Sequence, residues 1–330
     1  MASQHVFVTI FLENKQCHKL IHNLLTLLDK DYILTLEIYM DGIFMQAQDF
    51  SRRALSGKYY GGSERKIGII IDGSNYMIKF QKKTAFGMRN NHVSEFIGSH
   101  VFALLGFHTQ ETYLGFYKGE QVVACKDFNV EGRHFVPFND VGESTLDRDK
   151  ETYQYEYEDI MQMLRDNSKL TNVEDTISMF WEIYIVDALL GNFDRHGSNW
   201  GFTKENNRYS IAPVFDNGSC LFPNLTDEEV MKAIIESEEE TDKRVYSFPT
   251  SQVKLHGKKS SYYDVIQSME FVECNEALIK VYNRIDVERI MELVDETPLI
   301  TDVQKQFYRH MIHARYEKII KASYEQLMKR

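Results

Sequence analysis

The sequence predicts an α+β fold of two lobes, the first rich in strands and the second in helices, behind a small N-terminal α/β unit. Three observations carry this. Residues 57–128 hold short runs of β-branched and aromatic residues separated by Asp-Gly and Gly turns. From about residue 150 the apolar residues recur at helical spacing instead. The 330 residues, 43% of them apolar and 26% charged, suffice for about two domains with buried cores.

Residues 5–12, His-Val-Phe-Val-Thr-Ile-Phe-Leu, read as a strand. Leu20, Leu24, Leu27 and Leu28 place a helix over 18–28. The runs 32–39 and 43–47 flank Asp41-Gly42, a pair that favours a type I′ hairpin. Together these form an extension over residues 1–56 of β-α-β-β order, and Ser51–Gly57 reads as the linker. The first lobe, residues 57–128, starts with strands over 66–71 and 75–80 about an Asp72-Gly73-Ser74 turn. A helix over 94–105 is closed by Gly106. A second hairpin, 111–118 with 121–125, turns at Gly119. The second lobe, residues 129–330, has its longest apolar helix over 173–190, carrying Phe180, Trp181, Tyr184, Ile185, Ala188 and Leu189. A strand over 209–214 and helices over 228–245, 261–283, 286–294 and 301–328 complete it. A ligand cleft is expected where the lobes meet, near residues 125–130.

Composition narrows the function. With 38 Lys and Arg against 49 Asp and Glu, the net charge is −11, which argues against nucleic acid or an anionic membrane as the partner. The start, Met-Ala-Ser-Gln-His-Val, has no basic leader, and no apolar run approaches 18 residues, so neither a signal peptide nor a membrane anchor is expected. Cys17, Cys125, Cys220 and Cys274 lie far apart with no Cys-x-x-Cys, which suits a reducing compartment without disulfides or a cysteine zinc site. Cys17 with His18 and His22, and His310 with His313, lack further ligands and read as helix surface. The eight acids against three bases over 227–244, and the excess of bases over 301–330, read as solvated faces.

The chemistry concentrates in Gly191-Asn192-Phe193-Asp194-Arg195-His196-Gly197-Ser198-Asn199-Trp200, followed by Phe215-Asp216-Asn217-Gly218. Phosphoryl transfer needs a carboxylate to accept or orient a hydroxyl proton, and oxygen ligands for Mg²⁺. Asp194 with Asn199 five residues on has the spacing of the protein-kinase catalytic loop, and Asp216 ends a strand as a second metal carboxylate. In the strand-rich lobe Lys79 is a cation within an apolar strand and so needs an anion, and Glu95 opens the next helix as its candidate partner. Gly61-Gly62-Ser63 precedes the first strand as a candidate phosphate loop.

Further words extend the pattern: Gln110-Glu111-Thr112 with Leu114-Gly115, Val122-Val123-Ala124-Cys125-Lys126-Asp127-Phe128, Leu189 to His196, Asn199 to Phe202, Ile211-Ala212-Pro213 and Gly218 to Leu221. Tyr282 with Arg284-Ile285-Asp286, then Thr297-Pro298, continue it. In this order they resemble the HipA-like serine/threonine kinases over roughly residues 58–325. The resemblance implies a protein-kinase-like fold and transfer from ATP, with Mg²⁺, to a Ser or Thr of a protein substrate, autophosphorylation included. By position, Lys79 binds the α/β-phosphates and pairs with Glu95, and Asp194 is the catalytic base with His196 beside it. Asn199 and Asp216 hold magnesium. Lys126, Asp127 and Phe128 form the hinge that reads adenine through its backbone, with Phe128 packing on the base. Gly61, Gly62 and Ser63 stand at the phosphate loop but depart from the Gly-x-Gln-x-Lys words common there. An antitoxin or a host protein is the implied partner. The implied location is the bacterial cytoplasm, or outside it by a route without a cleavable signal. Two other readings stay open: a phosphatidylinositol or small-molecule kinase, whose catalytic loop is similar, and a non-catalytic nucleotide-binding regulator.

Overall fold

The structure, a computed structural model, describes residues 46–61, 65–84, 87–141, 156–165, 172–206 and 208–330. The strand at 5–12, the helix at 18–28 with Cys17, His18 and His22, the Asp41-Gly42 hairpin, and Gly62 and Ser63 lie outside these residues. Residues 46–330 form one compact unit.

The first lobe is a five-stranded sheet in the order β1-β6-β7-β3-β2. Its strands are β1 (Gln48–Asp49), β2 (Lys66–Ile71), β3 (Ser74–Phe80), β6 (Thr112–Tyr117) and β7 (Glu120–Lys126). Lys83–Thr84 (β4) and Gly87–Met88 (β5) make a small separate hairpin. The β2–β3 turn and the β6–β7 hairpin fall where Asp72-Gly73 and Gly119 predict them. One face of the sheet packs Phe50, Ile69, Ile71, Tyr76, Ile78, Phe80, Val122 and Ala124 into a core.

The expected linker Ser51–Gly57 is instead part of this lobe. Phe50 is fully buried and donates its N–H to the Phe116 carbonyl at 2.8 Å. Ser56 and Ile70 exchange backbone bonds with Gly68 and Ala54 at 2.9 and 2.8 Å, which covers the outer edge of β2. The apolar residues Phe50 and Leu55 among polar neighbours are what the linker reading passed over.

Helix α1 (Asn91–Leu104) starts three residues before its expected beginning. Asn91 reads as a loop residue but is tied to the end of β3: its side chain accepts from Lys82 N–H at 3.1 Å and donates to the Phe80 carbonyl at 3.2 Å.

The second lobe is built on α2 (Tyr157–Arg165) and α3 (Val173–Leu190), the latter at its expected bounds. Asn172 caps α3 by accepting from Asp175 N–H. Strands β8 (Arg133–Pro137), β9 (Gly201–Glu205) and β10 (Arg208–Ile211) form a three-stranded sheet beneath the cleft. The single strand expected over 209–214 is interrupted because Pro213 has no N–H to donate. Beyond it, Val214 exchanges backbone bonds with His108 and Gln110 at 2.8 Å each, stitching the run into Asp216 to the first lobe.

Two of the long expected helices are broken. Ser237 is extended and caps Glu238–Asp242 after Glu228–Glu236. Met269 adopts a left-handed conformation between Tyr262–Ser268 and Val272–Tyr282. The hairpin of β11 (Thr250–Leu255) with β12 (Lys258–Ser261) has no clear alternation in sequence. The acidic and basic segments meet in part, with Lys318 binding Asp242 at 2.5 Å. His310 bonds Thr241 Oγ1 at 2.8 Å, while His313 is exposed. Among the described residues no helix is long and apolar enough to cross a membrane, and Cys125, Cys220 and Cys274 are free and buried.

Candidate active site

Helix α3 delivers the catalytic loop. Gly191 ends it in the left-handed region, φ 64°, where its N–H reaches back to the Asp187 carbonyl. The loop then turns on its own side chains. Asn192 Oδ1 accepts from Asp194 N–H at 3.0 Å, and Asn199 Nδ2 donates to the Asp194 carbonyl at 2.7 Å. The two residues spaced five apart are thereby held together, with the Asp194 carboxylate at the cleft and half exposed. His196 Nδ1 accepts from Ser198 N–H at 3.2 Å, so a neutral ring carries its proton on Nε2, which faces Asp194 Oδ1 at 3.8 Å. Burial raises the Asp194 carboxyl pKa above its ordinary value; His196 opposes this and the Asp216 charge adds to it.

Lys79 joins the two lobes. Its ammonium is buried, 2.8 Å from Glu95 Oε2 and 2.9 Å from Asp216 Oδ1. Burial alone would lower its pKa, but the Asp216 and Glu95 carboxylates outweigh it and hold the pKa well above the ordinary lysine value. Against the same penalty of burial, Lys79 holds the Asp216 carboxyl low. Glu95 lies in the second turn of α1 rather than opening it, so it does not serve the helix dipole. Its other oxygen accepts Asn217 N–H at 2.9 Å. Gly98, one turn on, lets α1 lie against the metal loop: a Cβ there would stand 2.6 Å from Asn217 Cβ. Asp216 itself adopts φ 57°, a left-handed conformation that Asp tolerates better than most residues.

Arg195 braces these parts, and sequence reading passed it over. It is buried and bonds Asp187 through two nitrogens at 2.9 and 3.0 Å. It also donates to the carbonyls of Asn199 (3.1 Å) and Phe215 (2.5 Å) and to Asn217 Oδ1 (2.6 Å). One guanidinium therefore fixes the end of α3, the catalytic loop and the metal loop. Burial works against its charge, but Asp187 more than compensates and raises its pKa. The available signal was Asp187, the one acid within the apolar run Ile183–Leu190 and so in need of a cation.

The hinge differs from the expectation in detail. Lys126 and Asp127 spend their backbone N–H groups on Glu111 and Asn75 at 2.9 Å each, and the Lys126 carbonyl accepts from Gln110 Nε2 at 2.8 Å. The Lys126 ammonium turns to Glu111 at 2.8 Å. The Phe128 N–H and the Asp127 carbonyl have no partner among the described residues. Phe128 packs on Phe135 and on Phe215, beside the metal loop, at centroid distances of 5.8 and 5.3 Å. The Asp127 carboxylate accepts from Tyr60 OH at 2.8 Å and pairs with Lys58 at 2.5 Å. Of the glycine loop, Gly61 accepts from Lys66 Nζ at 3.1 Å.

The donor set fits magnesium. The Asn199 amide spends its NH₂ on the loop, which frees Oδ1, and Asp216 keeps one oxygen beyond the lysine. Both are hard oxygen donors, and Mg²⁺ takes its remaining ligands from phosphates and water.

Residues 59–292 match the family model of the HipA-like C-terminal domain. The chain is 35% identical over 271 residues to the serine/threonine-protein kinase CtkA of Helicobacter pylori, spanning 80% of this chain and 83% of that protein. It is similar to the crystal structure of the H. pylori proinflammatory kinase CtkA, with a TM-score of 0.79 and 32% identity over 86% of this chain and 98% of that one. A chain of the Shewanella oneidensis toxin–antitoxin complex of HipA, HipB and operator DNA is also similar, with a TM-score of 0.47 and 13% identity over 83% of this chain and 68% of that one. The match over most of its length places the chain in the HipA-like family.

Proposed function

We propose that this chain, a HipA-like serine/threonine protein kinase, transfers the γ-phosphoryl group of ATP to a Ser or Thr hydroxyl of a protein, with Asp194 as base. The observation that carries this reading is one buried ammonium, Lys79, bonded to Glu95 on α1 and to Asp216 on the metal loop. That arrangement holds a cation where α/β-phosphates need one. When bound, Mg²⁺ supplies charge neutralisation at the phosphates, and Asn199 and Asp216 would hold it. Asp194 accepts the proton of the attacking hydroxyl, and its raised pKa makes it a stronger base than a solvated aspartate. His196 orients the Asp194 carboxylate. Phe128, with Asp127, offers the base a backbone donor and acceptor, and the glycine loop from Gly61 is assigned to the phosphates. The protein itself is one acceptor, and an antitoxin or host protein another. The test is incubation with labelled ATP and Mg²⁺, followed by mass spectrometry of the protein and of a lysate. Phosphoserine or phosphothreonine absent in an Asp194→Ala control supports the reading. Label found only in lipid or small molecules overturns it.

A further inference from the structure

The sheet register identifies which side of the first lobe meets the cleft. Lys66 pairs with Lys79 and Gly68 with Met77, and residues directly opposite in an antiparallel ladder share a face. Gly68 therefore faces the same side as the Lys79 ammonium, and Val123, paired with Lys79, and Cys125, paired with Met77, line that side too. Gly68 offers no side chain there. The space is shared by the Ser56 hydroxyl, the Tyr60 ring and the Lys58 carbonyl: a Cβ on Gly68 would stand 2.3 Å from Ser56 Oγ, 3.1 Å from Tyr60 Cε2 and 3.2 Å from Lys58 O. The ring is pinned at its far end by the hydrogen bond to Asp127 in the hinge, 2.8 Å, while Lys58 ties the same segment to Asp127 and to the Asn129 carbonyl at 2.6 Å. Tyr60 thus runs from β2 to the hinge along the cleft face, over the ground between the hinge and the phosphate-binding lysine.

We infer that Tyr60 is the aromatic roof of the nucleobase subsite, stacking on the purine in place of the side chain that Gly68 lacks. This rests on the ATP reading above. A planar ring tethered by its hydroxyl and lying beneath Gly68 is preorganised to offer a π-face, and base–aromatic stacking is a substantial part of affinity. The Lys58 and Tyr60 bonds to the Asp127 carboxylate set the height of that roof, so this side chain positions the ring while the Asp127 carbonyl is left to the base.

The test compares binding of Mg-ATP with that of Mg-tripolyphosphate, which has no base, in the parent, Tyr60→Ala and Tyr60→Phe by calorimetry. Tyr60→Ala should weaken ATP about 10–100-fold, the scale of one lost stacking contact. It should leave tripolyphosphate binding as in the parent, and Tyr60→Phe should restore most of the ATP affinity. Unchanged or tighter ATP binding in Tyr60→Ala would show that the ring obstructs the site, and equal loss for both probes would make Tyr60 merely structural; either result overturns the roof. A parent that binds neither probe overturns the nucleotide reading, and the roof falls with it.

Discussion

At the scale of single residues, the carboxylates of the site differ because their surroundings differ. Asp216 is held low by an ammonium at 2.9 Å, whereas Asp194 pairs with no Lys or Arg among the described residues and is raised by burial. Asp194→Ala should keep nucleotide affinity within a few fold and lower transfer by about 10²–10⁴, the scale of lost general base catalysis. Single-turnover kinetics with labelled ATP measures both. The base must be ionised to accept a proton. Its pKa is raised, so activity falls as pH drops through a value above the ordinary aspartate one. The acid limb of kcat/KM, read in the parent at limiting Mg²⁺ so that it reports the free enzyme, should lie there. A limb at or below the ordinary aspartate pKa would remove Asp194 as the titrating base.

At the scale of elements, two ionic clusters decide how α1, α3 and the loops stand. Lys79 and Glu95 act as one unit if the glutamate serves to aim the ammonium. The double variant Lys79→Ala/Glu95→Ala should then be little worse in kcat/KM for ATP than Lys79→Ala, and Lys79→Arg should not rescue, since a forked guanidinium cannot replace a point ammonium. Additive losses would separate the two roles. Arg195 is the stronger structural dependency. Arg195→Met leaves the Asp187 carboxylate buried without its cation and should cost about 3–5 kcal/mol in denaturant unfolding. The Asp187→Asn/Arg195→Met pair should recover part of that loss, because the uncompensated charge is gone. A single variant as stable as the parent would mean that the Arg195 network contributes nothing to the fold.

At the scale of the whole molecule, the lobes communicate through the Lys79–Asp216 bond and the Val214 stitch to His108 and Gln110. A ligand spanning the cleft binds only the assembled arrangement and so stabilises it by about RT ln(1 + [L]/Kd), near 2.7 kcal/mol at a hundredfold excess over Kd. Thermal unfolding of the parent should shift upward with Mg-ATP. In Asp216→Ala the shift should vanish, since the phosphates lose their metal bridge to the protein. An undiminished shift in that variant would contradict the metal assignment.

Much of this was legible along the chain because it is local. The β2–β3 and β6–β7 hairpins follow from turn residues and alternation, the bounds of α3 from its long apolar run, and the Asp194–Asn199 pair from a spacing of five that the loop closes on itself. Lys79 was legible as a cation out of place in an apolar strand. What the sequence could not decide were features made by residues far apart. The breaks at Ser237 and Met269, the burial of Phe50 and the spent hinge N–H groups depend on partners elsewhere in the fold. Lys79 and Asp216 are 137 positions apart, Glu95 and Asn217 are 122 apart, and Tyr60 and Asp127 are 67 apart. Propensity and spacing act over a few residues, so they determine which elements form and which groups carry chemistry. The direction of a pKa, the hub at Arg195 and the ring over Gly68 arise only when packing removes water and brings distant charges within a few ångströms.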